Sequence, residues 1–318
     1  MIRPEREHGG DLDRAIACHG GTRAGWLDLS TGINPNSYPI PPIDMSNWTD
    51  LPDRAAFTAL EDAARVFWAI PDEAEVVIAP GASALIAAMP ALAGAGPVHV
   101  SGPTYNEHAA AFRAAGFAVE DTEPPQVVPA TRIVVHPNNP DGRLHRVTPQ
   151  ETTLTIVDES FADVGCASHV AHAGHPNFVV LKSFGKFWGL AGLRLGFAIC
   201  SPENARLLRQ HLGPWAASGP ALTIGTHALS DPAWAEDTRV HLASMAGHLD
   251  RVMTMSGARI VGGTSLFRLY VVHDGLATQT RLARHHIWSR VFEDRPDWIR
   301  LGLPADASGL ERIARALA

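Results

Sequence analysis

Apolar residues fall along this chain in short runs separated by polar turns. Val76 to Ala79, Val98 to Val100, Ile133 to Val135, Thr155 to Asp158 and Phe178 to Leu181 have the length and β-branched character of buried strands. Arg194 to Cys200 continues the series, and the stretch from about Val76 to Cys200 holds seven such strands in all. Helical periodicity lies between them. From Ala55 to Ala69, the residues Phe57, Leu60, Ala64 and Phe67 share one face. Ala82 to Leu92 and the alanine-rich segment after Tyr105 repeat a strand, turn, helix order. Strands alternating with helices predict an α/β fold: a mostly parallel seven-stranded sheet with helices on both faces. The link from His136 to Leu154 is short for a right-handed crossover and leaves room only for a brief helix.

Outside that stretch the pattern changes. Residues 1–40 are irregular: His8-Gly9-Gly10, a short polar helix, then Leu27 to Pro39, closed by Asn34-Pro35 and kept extended by prolines. Pro214 to Leu229 reads as an apolar helix at a hinge, and the remainder mixes helices with short strands such as Ser265 to Val272. The expected division is an arm, 1–45, that joins a smaller α+β domain, a large domain over 46–218, and the rest of the small domain over 219–318.

Composition narrows the function classes. A chain of 318 residues with 46% hydrophobic and 19% charged residues is a soluble globular protein of one large domain or two ordinary ones. A net charge of -7 without a basic run argues against nucleic acid. Cys18, Cys166 and Cys200 form neither a disulfide framework nor a zinc spacing, which fits a reducing cytosol. The charged start, MIRPEREHGGD, has no apolar core for a signal peptide. No run approaches the ~18 apolar residues of a membrane span. The expected location is the cytoplasm, with no nucleic-acid or membrane partner.

The chemistry concentrates in Ser183 to Phe197, SFGKFWGLAGLRLGF. Lys186 stands behind a buried strand in a turn broken by Gly185, Gly189 and Gly192. An ammonium ion is costly to bury there, whereas a neutral amine or a Schiff base is tolerable. Arg194 is a permanently charged fork suited to phosphate, and Ser183 adds a hydroxyl. Gly81-Ala82-Ser83 opens a helix, where free backbone N–H groups favour an anion. Tyr105 lies at a strand's carboxyl end, where open α/β sheets place ligands. Asp158 ends another strand and needs a partner. His169, His172 and His175 recur every three residues, but in a loop with no carboxylate or cysteine accompanying them, so no metal is expected.

The Ser183 to Phe197 stretch resembles the cofactor-lysine motif of fold type I pyridoxal-phosphate (PLP) enzymes, S-x-x-K followed by G-L-A-G-L-R-x-G. Pro137 to Gly142, PNNPDG, is similar to that family's P-N-N-P-T-G. The branch resembled most holds histidinol-phosphate aminotransferase and the threonine-phosphate decarboxylase of cobalamin synthesis. The resemblance implies that Lys186 bonds the cofactor's aldehyde, Asp158 meets the pyridine nitrogen, Asn139 the phenolic oxygen and Tyr105 the ring face. Gly81, Ala82, Ser83, Ser183 and Arg194 would take the cofactor's phosphate. Asn34, with His8 and Gly9 of the HGG arm, would touch the substrate, while Arg290 and Arg300 would hold its phosphate and α-carboxylate.

The resemblance also implies a homodimer acting on a small phosphorylated amino acid. Two departures matter: Leu51 and Phe161 stand where histidinol-phosphate aminotransferases usually carry tyrosine. They favour decarboxylation of L-threonine O-3-phosphate. Histidinol-phosphate transamination is the alternative, and a non-catalytic sensor or scaffold comes third.

Overall fold

The computed structural model describes residues 9–121, 125 and 127–318. Its contacts divide the chain into two units. The larger comprises Ser37–Asn139 and Arg143–Glu236; the smaller takes the described residues up to Asn36, then Pro140–Gly142 and Asp237–Ala318.

The larger unit is built on a seven-stranded sheet in the order Glu75–Ala79, Gly196–Cys200, Phe178–Ser183, Leu154–Asp158, Thr131–Val135, Val98–Val100 and Val119–Glu120. Among the described residues, only Gly196–Cys200 runs against the others. The α/β sheet expected from the alternating pattern is therefore present, with one antiparallel strand. Leu154–Asp158 and Gly196–Cys200 are buried at every position. That explains their unbroken apolar runs, since a strand covered on both faces has no polar side to alternate with. Leu85, Met89, Phe112, Ile156 and Leu181 form part of the core beside the sheet. Helix Arg54–Phe67 packs against helix Gly219–Leu229, and Gly225 lets them approach closely: a Cβ there would sit 3.0 Å from Leu60 Cδ1, so that side chain would have to shift.

The crossover from Val135 to Leu154 forms no helix at all. Pro137, Pro140, Gly142 and Pro149 interrupt it too often for a hydrogen-bonded turn to nucleate. Side chains hold it instead. His136 Nδ1 accepts from the His145 N–H (3.0 Å), and His169 Nε2 accepts from the Val147 N–H (3.3 Å).

The smaller unit carries a four-stranded antiparallel sheet, ordered Arg290–Phe292, Arg295–Gly302, Phe267–Val271, Arg259–Thr264. Helices Gly275–Ala283 and Ala307–Leu317 accompany it. Leu27–Asp28 pairs in parallel with Ile287–Trp288.

Candidate active site

Strand Phe178–Ser183 ends in a turn whose large side chains face inward. Phe184, Phe187 and Trp188 are fully buried, and Phe184 stacks on Trp188 with centroids 5.0 Å apart. Trp188 stacks in turn on Trp234 at 5.4 Å. Anchoring these rings leaves Lys186, half-buried between them, facing a cavity. Gly185 donates its N–H to Ser183 Oγ (3.3 Å) and lies so close to Ala191 that a Cβ would come within 3.3 Å of the Ala191 Cα. The cavity is lined by Tyr105, Asn139, Asp158, Ser183, Lys186 and Arg194, together with Ala82, Ser83, Ser160 and Phe161. Lys186 Nζ lies 5.5 Å from the centroid of the Phe161 ring.

The whole chain has two lysines, Lys182 and Lys186. Lys182 is buried elsewhere, as described below, so Lys186 supplies the only lysine amine at the cavity. That count was available from the sequence and makes the assignment of Lys186 stronger than its motif alone.

Asp158 closes strand Leu154–Asp158 and is 2% exposed. Its Oδ2 pairs with His108 Nε2 at 2.8 Å. Oδ1 accepts from the Ser160 N–H at 2.9 Å and from the Ser160 hydroxyl. Burial alone would push this carboxyl up, but the donors of His108 and Ser160 outweigh it and hold Asp158 below its ordinary value. The group is therefore an ionised carboxylate at the cavity wall. His108 and Ser160 were not singled out from the sequence. Tyr105 and His108 sit three apart at the start of helix Asn106–Ala114, a spacing that puts both on one face. Their rings meet edge-on at 6.2 Å.

Arg194, also in the cavity lining, takes a left-handed conformation, φ 55°. Its guanidinium lies against Gly81, where a Cβ would stand 2.7 Å from Nη2. Gly81 itself has φ +90°. A side chain at Gly81 would both strain the turn and displace the arginine. Gly196 packs so tightly on the Gly81-Ala82 turn that a Cβ there would collide with the Ala82 N–H. The glycines thus bring Arg194 beside Ala82 and Ser83.

The other expected site residues belong to the smaller unit. Arg290 and Arg300 lie directly opposite each other in antiparallel register. Like charges so placed repel unless an anion offsets them. Burial and the charge of Arg290 lower Arg300 to about 10. Arg300 Nη2 donates to the Ser30 carbonyl at 2.7 Å, and Ser30 Oγ accepts from the Gly10 N–H at 2.7 Å. Gly9 packs on the same carbonyl, leaving no room for a Cβ. Asn34 is buried, and its Oδ1 accepts from the Asn36 N–H (3.0 Å). His8 lies outside the described residues.

Next to Asp158, on the opposite face of the sheet, a second ionic cluster is closed off. Glu159 Oε2 meets Lys182 Nζ at 2.7 Å, and Asp163 Oδ1 meets it at 3.5 Å. Asp163 accepts the indole N–H of Trp68 (2.9 Å) and of Trp188 (3.2 Å). Ser168 and His169 complete the shell of Glu159. Burial pushes Glu159 up, but Lys182, His169 and Ser168 together hold it at about 2.

His136, Glu159 and His169 bring their donor atoms close enough to suggest a metal site. His169 therefore does have a carboxylate beside it, which the sequence pattern did not reveal. Hydrogen bonds already occupy these ring nitrogens. Nδ1 of His136 accepts, so its Nε2 donates to the Ala167 carbonyl at 2.8 Å; Nε2 of His169 accepts, so its Nδ1 donates to Glu159. The cluster is accounted for as a hydrogen-bond network fastening the helix-free crossover.

The sequence profile "Aminotransferase class I and II" matches residues 40–317. A threonine-phosphate decarboxylase from Sinorhizobium sp is 39% identical, covering 98% of this chain and 97% of that protein. A threonine-phosphate decarboxylase from Pseudomonas aeruginosa is 36% identical over the same shares. In structure, the histidinol-phosphate aminotransferase of Sinorhizobium meliloti in complex with pyridoxal-5'-phosphate superposes with a TM-score of 0.82 at 16% identity, covering 99% of this chain and 95% of that one. The last comparison carries the fold alone.

Proposed function

We infer, from a chain that belongs to the aminotransferase class I and II family, a PLP-dependent threonine-phosphate decarboxylase. It converts L-threonine O-3-phosphate to (R)-1-amino-2-propanol phosphate and carbon dioxide, the step that supplies the cobalamin side chain. The observation that carries this reading is likeness over nearly the full length to two threonine-phosphate decarboxylases. Histidinol-phosphate transamination is the weaker reading, since Leu51 and Phe161 lack the hydroxyls of that enzyme's tyrosines.

The residues at the cavity fit PLP. One lysine amine faces an ionised buried carboxylate, and an arginine lies in a cradle that a Cβ at Gly81 would fill. We assign Lys186 to the aldehyde, Asp158 to the ring nitrogen, Asn139 to the phenolic oxygen and Tyr105 to the ring face. Arg194, Ser183, Ser83 and the Gly81-Ala82 backbone are assigned to the phosphate. Bound PLP supplies an electron sink for the pair released when a bond at the substrate's Cα breaks.

The protein's own part is orientation and proton control. Asp158, as a carboxylate, would hold a proton at the ring nitrogen of bound PLP. Asn139 would donate to the phenolic oxygen without help from residue 161, which is phenylalanine. Which bond at Cα breaks would depend on how the substrate is oriented against the bound cofactor. Arg290 and Arg300 are our candidates for gripping the substrate's anionic groups and so setting that orientation, with Asn34 and Gly9 of the arm as further candidates for substrate contact. In a decarboxylation no base need remove a Cα proton. Lys186 would then have one task at Cα, to return a proton once carbon dioxide has left.

We further propose a cytoplasmic homodimer. Ile40, Met45, Trp48 and Leu51 expose large apolar side chains within one short segment, an arrangement that a second copy would cover. No helix of the described residues is long and apolar enough to cross a membrane. Incubation with PLP and phosphothreonine, or with PLP, histidinol phosphate and 2-oxoglutarate, tests the reaction. Carbon dioxide from the first mixture and no glutamate from the second is the expected result; glutamate alone would reverse it.

A further inference from the structure

Asp158 has two hydrogen-bonded oxygens, and the donors to them differ in kind. His108 reaches Oδ2 from a neighbouring helix, and its other ring nitrogen, Nδ1, is buried without a hydrogen-bond partner. Ser160 serves Oδ1 with both its N–H and its hydroxyl. Alternation along the chain sends Asp158 to the cavity, Glu159 to the rear cluster and Ser160 back to the cavity. Among the described residues, the serine hydroxyl is therefore the one donor to Asp158 that comes from a side chain lining the cavity, half-buried rather than sealed.

A carboxylate offers about four lone-pair sites. His108 and Ser160 supply three donors, leaving room for one more on a carboxylate that is part of the cavity lining. We propose that Ser160 is a positioning residue which, through Asp158, sets how far a proton shared with the ring nitrogen of bound PLP rests on that nitrogen. The inference rests on the PLP-dependent reading above. Its physical basis is simple. Each donor to a carboxylate stabilises the charged form and weakens its hold on a proton. With the hydroxyl in place the proton stays on the ring, which keeps the ring a strong electron sink. Without it, Asp158 competes better for the same proton. The lowered proton affinity already noted for Asp158 has Ser160 among its causes.

The test reads the ring directly. Wild type, Ser160→Ala, Ser160→Cys and Ser160→Thr are reconstituted with PLP labelled with nitrogen-15 in the ring, and the nitrogen chemical shift is recorded. The wild type should show a pyridinium-like shift. Ser160→Ala should move it towards the neutral-pyridine value, Ser160→Cys, a weak donor of similar volume, should fall between, and Ser160→Thr should restore it. In step with the shift, kcat should drop about fivefold in Ser160→Ala with KM unchanged, the scale of one lost hydrogen bond. If Ser160→Ala does not fold, the cysteine variant decides the matter alone. Variants that bind PLP with the wild-type nitrogen shift would overturn the role of Ser160 and leave the enzyme reading standing. A wild type that takes up no PLP would bring down both.

Discussion

The two lysines of this chain stand four residues apart and meet opposite fates. Lys182, still in the strand, is 1% exposed and locked between Glu159 and Asp163. Lys186, beyond the strand, faces the cavity next to Phe161, with Asp158 on the same wall. The carboxylates mirror them. Glu159 receives a full opposite charge, while Asp158 receives hydrogen bonds from a histidine and a serine. The difference teaches how one strand end serves two purposes. The rear pair spends its charge inside the protein and fixes strand Leu154–Asp158 against strand Phe178–Ser183. Since side chains alternate, fixing the rear residues also fixes what faces the cavity: a slip of one residue would exchange the two sets.

Four substitutions or conditions would break or sharpen that contrast. The largest effect belongs to Lys186→Ala. Turnover and the visible absorbance of the cofactor–lysine bond should both vanish, while the urea midpoint stays near that of wild type. Because Lys182 is the sole other lysine, borohydride reduction should fix no PLP to this variant, and peptide mapping would expose any exception.

Lys182→Met should do the reverse. Removing one member of a buried ion pair costs about 3–5 kcal/mol, so the urea midpoint should fall sharply. Adding Glu159→Gln should recover much of that loss, since the stranded charge goes with it; losses that simply add would mean that the pair is not coupled.

Acid gives the third handle. Glu159 is held at about 2 against an ordinary 4.5. A depressed carboxylate contributes stability that is complete above pH 4.5 and drains as the pH falls towards 2. Over that window the stability gap between wild type and Glu159→Gln should close by about 3 kcal/mol, as read by urea titrations at each pH.

Arg194→Ala should produce the smallest of the four effects. A charge-assisted contact is worth about 1.5–3 kcal/mol, so PLP should bind about tenfold more weakly or worse. Folding should hardly change, because Arg194 is exposed. An unaltered dissociation constant would remove it from the phosphate assignment.

Much of this is legible in the chain itself. The apolar runs marked the strands, because strands covered on both faces need apolar side chains throughout. The glycine-rich turn after Phe178–Ser183 marked Lys186, since chain breakers at fixed offsets constrain the backbone locally. Asp158 was visible as a strand-end residue, while Asn139 was marked only by the likeness of PNNPDG to the family's P-N-N-P-T-G. These are short-range effects, carried by residues within a few positions of one another.

Tertiary structure decided what depends on distant partners. His108 lies 50 residues from Asp158 and Glu159 lies 23 from Lys182, and nothing in local pattern announces either pair. The direction in which Asp158 titrates and the occupied nitrogens of His136 and His169 follow from such pairings. Periodicity and turn chemistry record only what a residue needs from its neighbours in sequence. Which buried charge is neutralised, and which is left to face a ligand, is set by the side chains that folding packs around it.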